Sequence, residues 1–472
     1  MFILKLEKNK KPYLARDIDK FFIDWRNSDV HKALKVIGAR QVGKTTSIKN
    51  FAYNNYKHVI YLDLEDIPGR AFAEYIKTCS DSVTKVLPEY FEMKNIPFTN
   101  DKDTIIIFDE IQKDEAVWGL IRPINVYLNC DLIVTGSALS ITDGWFQPAG
   151  NAITVKMHTM SFLEFIESKN SKSRHFYESN RIFDLNEKQK IWYTREFLNY
   201  CKVGGYPAAV KAYLSGRDYK EELKEILEIL KMELSNIKDP LAMKKCIEDI
   251  YPKIIEFMIK EKKGDKNLLE HLTNSIKEHD SSLSITKFEV NTVIRWLHEA
   301  DVISVVTGFN LANNSESSLA RFYFNDIGLL NYLAHQTVID KGNLEGLLAE
   351  TFLFKVLYNK DLLHVKYSFG FYNNYEYDLL LIATPSGDKK LVEIKHGGGR
   401  SRSMEVAIQK DLAKCYSFYF GDIEIRNKDG ITYYPLYLAD KTILENLNYL
   451  QEESPFVKKE TKLDLMEDSL FD

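Results

Sequence analysis

One stretch of nine residues constrains this chain more than any other. Residues Gly38–Thr46 read GARQVGKTT and directly follow the apolar run Ala33–Ile37. The spacing G-x-x-x-x-G-K-[ST], between a predicted strand and a predicted helix, is typical of a phosphate-binding loop. The two glycines let consecutive backbone N–H groups converge on an anion, and the helix start adds its positive dipole end. A chance glycine turn is the alternative, and the Lys-Thr pair after an apolar strand argues against it.

The pattern gives a role to each residue of this loop. Lys44 would reach the β- and γ-phosphates of a nucleoside triphosphate, and the Thr45 hydroxyl would bind Mg²⁺. The loop backbone would surround the phosphates. The nucleotide-contacting residues predicted on this basis are Gly38, Ala39, Arg40, Gln41, Val42, Gly43, Lys44, Thr45 and Thr46.

A second motif is the apolar run Thr104–Asp109, which is followed by a further carboxylate, Glu110. Ligands of open α/β sheets bind beyond the carboxyl ends of the strands, where both acids would lie. Asp109 suits the Mg²⁺ shell, and Glu110 suits a base that polarises the attacking water. The next apolar run ends in two hydroxyls, and Thr135 or Ser137 could sense the γ-phosphate. For Ser137, capping the next helix is an equally good interpretation.

Composition narrows the class of protein. The chain has 472 residues, 45% hydrophobic and 28% charged, which is typical of a globular protein with two to four domains. Its net charge of −5 provides no overall attraction to nucleic acid. The five cysteines are scattered, and no apolar run is long enough to span a membrane. We therefore expect a cytoplasmic protein without disulfides.

The hydrophobic pattern predicts an α/β fold in which a P-loop NTPase parallel sheet comes first. A helical and winged-helix segment and a second α/β unit would follow. The resemblance described below implies that this second unit is a C-terminal restriction-endonuclease-like α/β domain. The predicted segments are a P-loop ATPase domain (1–160), a helical lid or linker (161–240), a winged-helix-like domain (241–340), a nuclease-like domain (341–450) and an acidic tail (451–472). Two local expectations are a polar loop over 310–318 and a single helix over 404–418.

A second group of polar residues falls in the C-terminal segment. Glu393 and Lys395 are two apart at the end of a predicted strand and so face the same side. With Asp378 on the preceding strand and Glu350 on the preceding helix, they resemble the active-site residues of PD-(D/E)xK nucleases. There, carboxylates hold Mg²⁺ beside the scissile phosphate. A Glu–Lys pair on a solvated face is the alternative interpretation.

The whole chain resembles a family of prokaryotic AAA-like ATPases with a winged helix and a C-terminal nuclease-like domain. Beyond the two nucleotide motifs, the resemblance rests on short motifs in a specific order: Asp109–Gln112, Val134–Ser137, Ser161–Phe165, Gly204–Pro207, Tyr323–Leu329, Glu376–Asp378 and Val392–Lys395. The family usually has an arginine where this chain has Asn151. Arg40 and Arg122 are the candidate substitutes for it.

Three functions follow from these observations. The first is an ATPase that binds ATP and Mg²⁺, with Lys44, Asp109 and Glu110 as its catalytic residues. The second is a metal-dependent nuclease that nucleotide binding regulates. The third is a binding switch that holds ATP without turnover. The partner would be DNA or another protein, no membrane is expected, and a homo-oligomer fits but is not required.

Overall fold

The computed structural model of the protein describes residues 13–28, 32–136, 152–179, 185–235, 250–256, 258, 266–279, 286–337, 340–359, 365–383, 386–395, 401–428 and 431–445. The described residues contain two β-sheets, one of five strands and one of eight. Within these ranges, no helix combines the length and the apolar character needed to cross a lipid bilayer.

The first sheet is entirely parallel, as the sequence predicts, and its strand order is β2-β3-β4-β1-β5. Every residue of β3 is buried, because both faces of the sheet are covered by helices. The strands are β1 (Ala33–Ile37), β2 (His58–Asp63), β3 (Thr104–Asp109), β4 (Asp131–Thr135) and β5 (Ala152–Lys156). The helices are α1 (Asp17–Asn27), α2 (Lys44–Asn55), α3 (Ile67–Thr78), α4 (Val83–Met93), α5 (Glu115–Gly119) and α6 (Ile121–Tyr127).

A helical region follows the first sheet. Its helices are α7 (Phe162–Lys169), α8 (Ser173–Ser179), α9 (Glu187–Val203), α10 (Pro207–Leu214) and α11 (Tyr219–Ser235). A sharp bend separates α9 from α10 at Gly204 and Gly205. Gly204 has a φ of +76°, a backbone conformation that glycine adopts readily. A Cβ atom on Gly205 would lie 2.1 Å from the Met160 carbonyl oxygen, so the two segments pack backbone to backbone.

The next helices lead into a β-hairpin. Residues 250–256 form α12, and α13 (Leu268–His279) and α14 (Lys287–Glu299) follow. The hairpin consists of β6 (Ile303–Asn310) and β7 (Ser315–Phe324), and α15 (Ile327–Ala334) comes after it. Asp326 caps α15 and also accepts a hydrogen bond of 2.8 Å from the Gly205 amide. This contact joins the hairpin to the bend between α9 and α10.

The second sheet is mixed and has the order β12-β13-β11-β10-β9-β8-β6-β7. The hairpin is part of it, since β6 pairs with β8 in parallel at Gly308–Asn310. The segments predicted as 241–340 and 341–450 therefore share one sheet. The remaining elements are α16 (Lys341–Tyr358), β8 (Val365–Tyr372), β9 (Tyr375–Ala383), β10 (Lys389–Lys395), α17 (Arg402–Gln409), β11 (Lys414–Tyr419), β12 (Arg426–Lys428), β13 (Ile431–Pro435) and α18 (Ala439–Glu445).

Two local predictions are wrong in this region. The polar loop predicted over 310–318 is shorter in the structure, because β6 ends at Asn310 and β7 already begins at Ser315. The stretch 404–418 is not one helix, because α17 ends at Gln409 and β11 begins at Lys414. The turn between them contains Asp411 with a φ of +49°, which breaks the helix.

Buried polar contacts join the two sheets. Lys156, at the end of β5, donates a hydrogen bond of 2.6 Å to the Tyr358 hydroxyl of α16 and forms an ion pair of 2.8 Å with Asp301. Tyr358 in turn donates to Asp301. Lys355, one turn earlier on α16, donates to Thr159 and to the Asn325 carbonyl. The end of β5 is thus attached to the hairpin and to α16.

Candidate functional site

The predicted phosphate loop lies between β1 and α2, at the carboxyl edge of the parallel sheet. Gly38 has a φ of +139° and Gly43 a φ of +97°, conformations that side-chain-bearing residues rarely adopt. Gly38 also needs to be small, because a Cβ there would lie 2.0 Å from the Met157 carbonyl oxygen. The sequence therefore predicted correctly where the backbone bends. The loop packs against Met157, the residue directly after β5.

Lys44 is the first residue of α2, and its side chain extends back to the start of the loop. Its Nζ donates hydrogen bonds of 2.8 Å to the carbonyl oxygens of Gly38 and Ala39. The side chain is buried, and this burial lowers the pKa of Lys44 to about 8, against the opposing charges of Glu110 and Asp109. A buried ammonium group is costly without an anionic partner, so the site favours a negatively charged ligand.

Asp109 ends β3 opposite the start of α2. Its Oδ2 accepts hydrogen bonds of 2.7 Å from the Thr45 hydroxyl and from the Tyr61 hydroxyl. Its Oδ1 accepts a bond of 3.0 Å from the Glu110 amide. These groups bring hydroxyl and carboxylate oxygens together, and such hard ligands fit Mg²⁺. The predicted pair of metal-binding residues, Thr45 and Asp109, is in direct contact.

Glu110 follows Asp109 in a left-handed conformation, with a φ of +49°. Gln112 donates a hydrogen bond to the Glu110 carboxylate. A strained backbone at such a position is typical of functional residues. Glu110 therefore follows the predicted magnesium ligand Asp109 directly, but its carboxylate has a hydrogen-bond partner of its own, Gln112.

The other predicted residues have different environments. Arg40 forms an ion pair with Glu233 of α11. Thr135 is fully buried, and its hydroxyl donates a hydrogen bond of 3.0 Å to the Val36 carbonyl, so in this structure it is bound to β1. Of the remaining positions, Ala39 and Val42 are buried, Gln41, Thr46 and Arg122 are exposed, and Ser137 and Asn151 lie outside the described residues.

Two polar side chains next to the site were not predicted. Tyr61 on β2 contacts Asp109, and the Lys49 ammonium lies 3.6 Å from the centre of its ring. Arg16 is buried behind the loop and donates a hydrogen bond of 2.7 Å to the Val42 carbonyl. Tyr61 could have been suspected, since it lies on the strand next to β3. A single arginine ahead of the first helix carries no pattern that would reveal Arg16.

The C-terminal carboxylates lie on adjacent strands. Asp378 on β9 accepts a hydrogen bond of 2.7 Å from the Ile394 amide of β10. Burial, with the nearby charges of Glu350 and Glu393, raises the pKa of Asp378 to about 8. Glu393 forms an ion pair with Lys395 and accepts a hydrogen bond from Ser403. Across the described ranges, no group of three or more histidine, cysteine, aspartate or glutamate side chains is arranged to hold a metal ion.

Comparisons with known proteins find similarity over two separate parts of the chain. Residues 30–166 match the family model of an AAA domain, and residues 194–340 match a domain of unknown function, DUF8612. A protein of Haemophilus influenzae is 24% identical over 231 residues, which cover 47% of each chain. The chain thus spans about half the length of this curated relative.

Similarity to solved structures is distant. A Walker-type ATPase of Pyrococcus abyssi has 14% identity and a TM-score of 0.41, over 69% of this chain and 99% of its own. The ORC1 protein of Aeropyrum pernix, solved in complex with DNA, has 14% identity and a TM-score of 0.32, over 73% and 95%. TM-scores this low establish no detailed correspondence. The match of residues 30–166 to the model of an AAA domain agrees with the parallel sheet and with the loop at its edge.

Proposed function

We propose that this protein binds ATP together with Mg²⁺ and hydrolyses it. The observation that carries the proposal is the position of Lys44, whose buried ammonium group is held between two loop carbonyl groups beside Asp109 and Glu110. An anionic phosphate chain is the ligand that balances this charge. Thr45 and Asp109 supply oxygen atoms suited to Mg²⁺, which would neutralise phosphate charge.

The residues of this chain would divide the work. Lys44 and the loop amides would bind the phosphates and orient them for attack. Glu110 would accept the proton of the attacking water, and Gln112 would hold the Glu110 carboxylate in place through its hydrogen bond. Tyr61 would orient Asp109 from the neighbouring strand. The protein would therefore accelerate hydrolysis mainly by holding these groups in place around the phosphates before the reaction begins.

Phosphate release separates hydrolysis from binding alone. We expect Lys44→Ala to lose most ATP affinity, and Glu110→Gln to keep affinity while turnover falls by about 100-fold or more, the typical contribution of a general base. Isothermal titration with MgATP and a steady-state phosphate assay measure the two effects. Glu115→Gln is the matched control, because this exposed carboxylate starts α5 nearby.

Each result of that assay has a clear meaning. Equal turnover in wild type, Lys44→Ala and Glu110→Gln would refute the assigned site. Tight ATP binding with no turnover in wild type would identify a non-hydrolysing ATP-dependent switch instead of an ATPase.

The pH dependence of binding tests the environment of Lys44. Its lowered pKa of about 8 means that the free protein loses this charge as the pH rises through 8. Bound phosphate favours the charged amine, so binding near pH 8 should take up a proton, and affinity should fall from pH 7 to pH 9. Titration with a non-hydrolysable ATP analogue in buffers of different ionisation enthalpy measures this uptake.

Lys44→Arg serves as the control for the pH experiment. Its guanidinium group stays charged throughout this range, so its affinity should be lower but independent of pH. If wild type and Lys44→Arg show the same pH profile, the buried environment of Lys44 is not the cause.

The nucleotide state would reach the C-terminal sheet through the end of β5. This strand pairs with β1, which carries the phosphate loop, and its last residue, Lys156, contacts Asp301 and Tyr358. Burial opposes the negative charge of Asp301, but contacts with His158 and Lys156 outweigh it and hold the pKa of Asp301 well below its ordinary value. A shift of β5 would therefore move Lys156 relative to the buried Asp301, which is hydrogen-bonded to Tyr358 of α16.

Tyr358→Phe tests this connection. The substitution removes the hydroxyl that links Lys156 and Asp301 to α16 and leaves the ion pair between them. In wild type, an ATP analogue should change amide hydrogen exchange in β6, β7 and α16. In Tyr358→Phe this response should be lost while analogue affinity stays unchanged. Tyr332→Phe, on α15, is the control, and an undiminished response in Tyr358→Phe would contradict the connection.

A metal-dependent nuclease regulated by ATP is the second candidate function. It is favoured by the environment of Asp378, whose pKa is raised by burial and then by the nearby charges of Glu350 and Glu393. DNA would then be the partner of the C-terminal sheet. We also propose a cytoplasmic location and, as alternatives to DNA, a protein partner or a second copy of this chain.

Cleavage of supercoiled plasmid tests the second function. With Mn²⁺ and ATP, Asp378→Asn and Lys395→Ala should abolish any cleavage seen with wild type, because one would lose a metal-binding charge and the other a cation next to the phosphate. Asp388→Asn is the control, since it makes the same change at an exposed position ahead of β10. Cleavage that persists in all variants would come from another site or a contaminant.

A further inference from the structure

Arg16 lies directly before α1 and is almost completely buried, with 8% of its surface exposed. Its guanidinium group makes three separate hydrogen bonds. Nε donates to Glu164 at 2.9 Å, Nη1 donates to the Val42 carbonyl at 2.7 Å, and Nη2 donates to the His158 carbonyl at 2.6 Å. One side chain thus joins the phosphate loop, the segment after β5 and the helix α7.

Glu164 is held as firmly as Arg16. Its Oε1 also accepts a hydrogen bond of 2.7 Å from the Asp17 amide, and its Oε2 accepts one of 2.7 Å from the Ser161 amide. The carboxylate therefore cannot rotate without breaking the caps of two helices, α1 and α7. Burying an ion pair adds little net stability, since desolvation offsets the attraction. The pair gives a fixed direction to the guanidinium group.

The direction of the guanidinium group decides how the peptide bond between Val42 and Gly43 is oriented, because this bond is planar. The carbonyl of Val42 and the N–H of Gly43 belong to one trans peptide and point in opposite directions. Because Arg16 binds the Val42 carbonyl on one side of this peptide, the Gly43 amide is turned to the opposite side. Gly43 has a φ of +97°, a region open to few residues other than glycine, and it cannot fix this plane by itself.

The other peptide groups around Gly43 are also fixed. The Gly43 carbonyl accepts a hydrogen bond of 2.9 Å from the Ser47 amide in the first turn of α2. At the far end of the loop, Gly38 is packed against Met157, the residue before His158. Arg16 therefore fixes the plane of the Val42–Gly43 peptide from a side that belongs neither to the helix nor to the strand.

We propose that Arg16 is a positioning residue for phosphate binding, and that Glu164 holds it in place. Arg16 does not touch the ligand. It turns the Gly43 amide towards the bound phosphates, so that the amide donates its hydrogen bond without reorganisation of the loop. The inference rests on the proposed ATP binding, and it assigns a role to Ser161–Phe165, the segment that contains Glu164.

Arg16→Lys is the informative variant, because it keeps the charge but loses the planar fork that reaches three acceptors. We expect its affinity for MgATP to fall by about tenfold, the effect of losing one oriented hydrogen bond to a charged group. Affinity for inorganic tripolyphosphate should fall by the same factor, because the defect lies in the anion-binding loop. Glu164→Gln should show a smaller loss in the same direction.

A control variant and a spectroscopic measurement separate positioning from general destabilisation. Arg174 bonds to Asp17 and also to Glu167 and Glu178, and among the described residues these ion-pair partners all lie outside the loop. Arg174→Lys should bind both ligands as wild type does. In ³¹P NMR of bound MgADP, the β-phosphorus resonance should shift in Arg16→Lys and Glu164→Gln only. Thermal unfolding identifies any variant that is not folded, and Glu164→Gln then replaces Arg16→Lys as the test.

The outcomes are distinct for the two proposals. If wild type binds neither ligand, ATP binding itself is refuted and this inference falls with it. If wild type binds and Lys44→Ala does not, ATP binding stands. Folded Arg16→Lys protein with unchanged affinity and an unchanged phosphorus resonance, or with a loss no greater than that of Arg174→Lys, would then overturn the role of Arg16 alone.

Discussion

The shape of the phosphate loop depends on contacts that come from behind it. The groups expected to bind phosphate there are backbone amides, and the buried loop side chains, such as those of Ala39 and Val42, are apolar. Glycine at each end makes the tight bend feasible and also leaves the backbone free to move. Packing of Gly38 against Met157 and the bond from Arg16 to Val42 remove this freedom. The site therefore depends on residues far from the loop in sequence.

This constraint explains why the region after β5 belongs to the site. Met157 contacts the loop, the His158 carbonyl accepts a hydrogen bond from Arg16, and Glu164 forms a capping box with Ser161 at the start of α7. Lys156, which directly precedes Met157, forms an ion pair with Asp301 next to the C-terminal sheet. A short segment after β5 thus contacts the nucleotide side and the C-terminal side at once. Gly38 of the loop contacts Met157, and the neighbouring Lys156 contacts Asp301, so the loop and Asp301 are joined through two consecutive residues.

The sequence predicted the first sheet well because its signals are local. Continuous apolar runs placed β1 and β3 at their observed bounds, and the loop pattern located the bends. It failed where pairing partners decide the structure, as in the stretch 310–318. There the polar residues suggested a loop, but pairing between β6 and β7 makes those from Ser315 onward strand. Arg16 could not be predicted because its partners, Val42, His158 and Glu164, come together only in the folded chain.

The two carboxylate sites differ in a way that decides between the candidate functions. Asp109 accepts hydrogen bonds from two hydroxyls and one amide, so its charge is already solvated by neutral donors. Asp378 is buried near two other carboxylates, and its raised pKa of about 8 keeps it mostly protonated at neutral pH. A cation there would first have to displace a proton, whereas none of the neutral donors around Asp109 competes with a cation for charge. The neutral donors around Asp109 therefore suit the Mg²⁺ ion proposed above better than the buried carboxylates around Asp378 do.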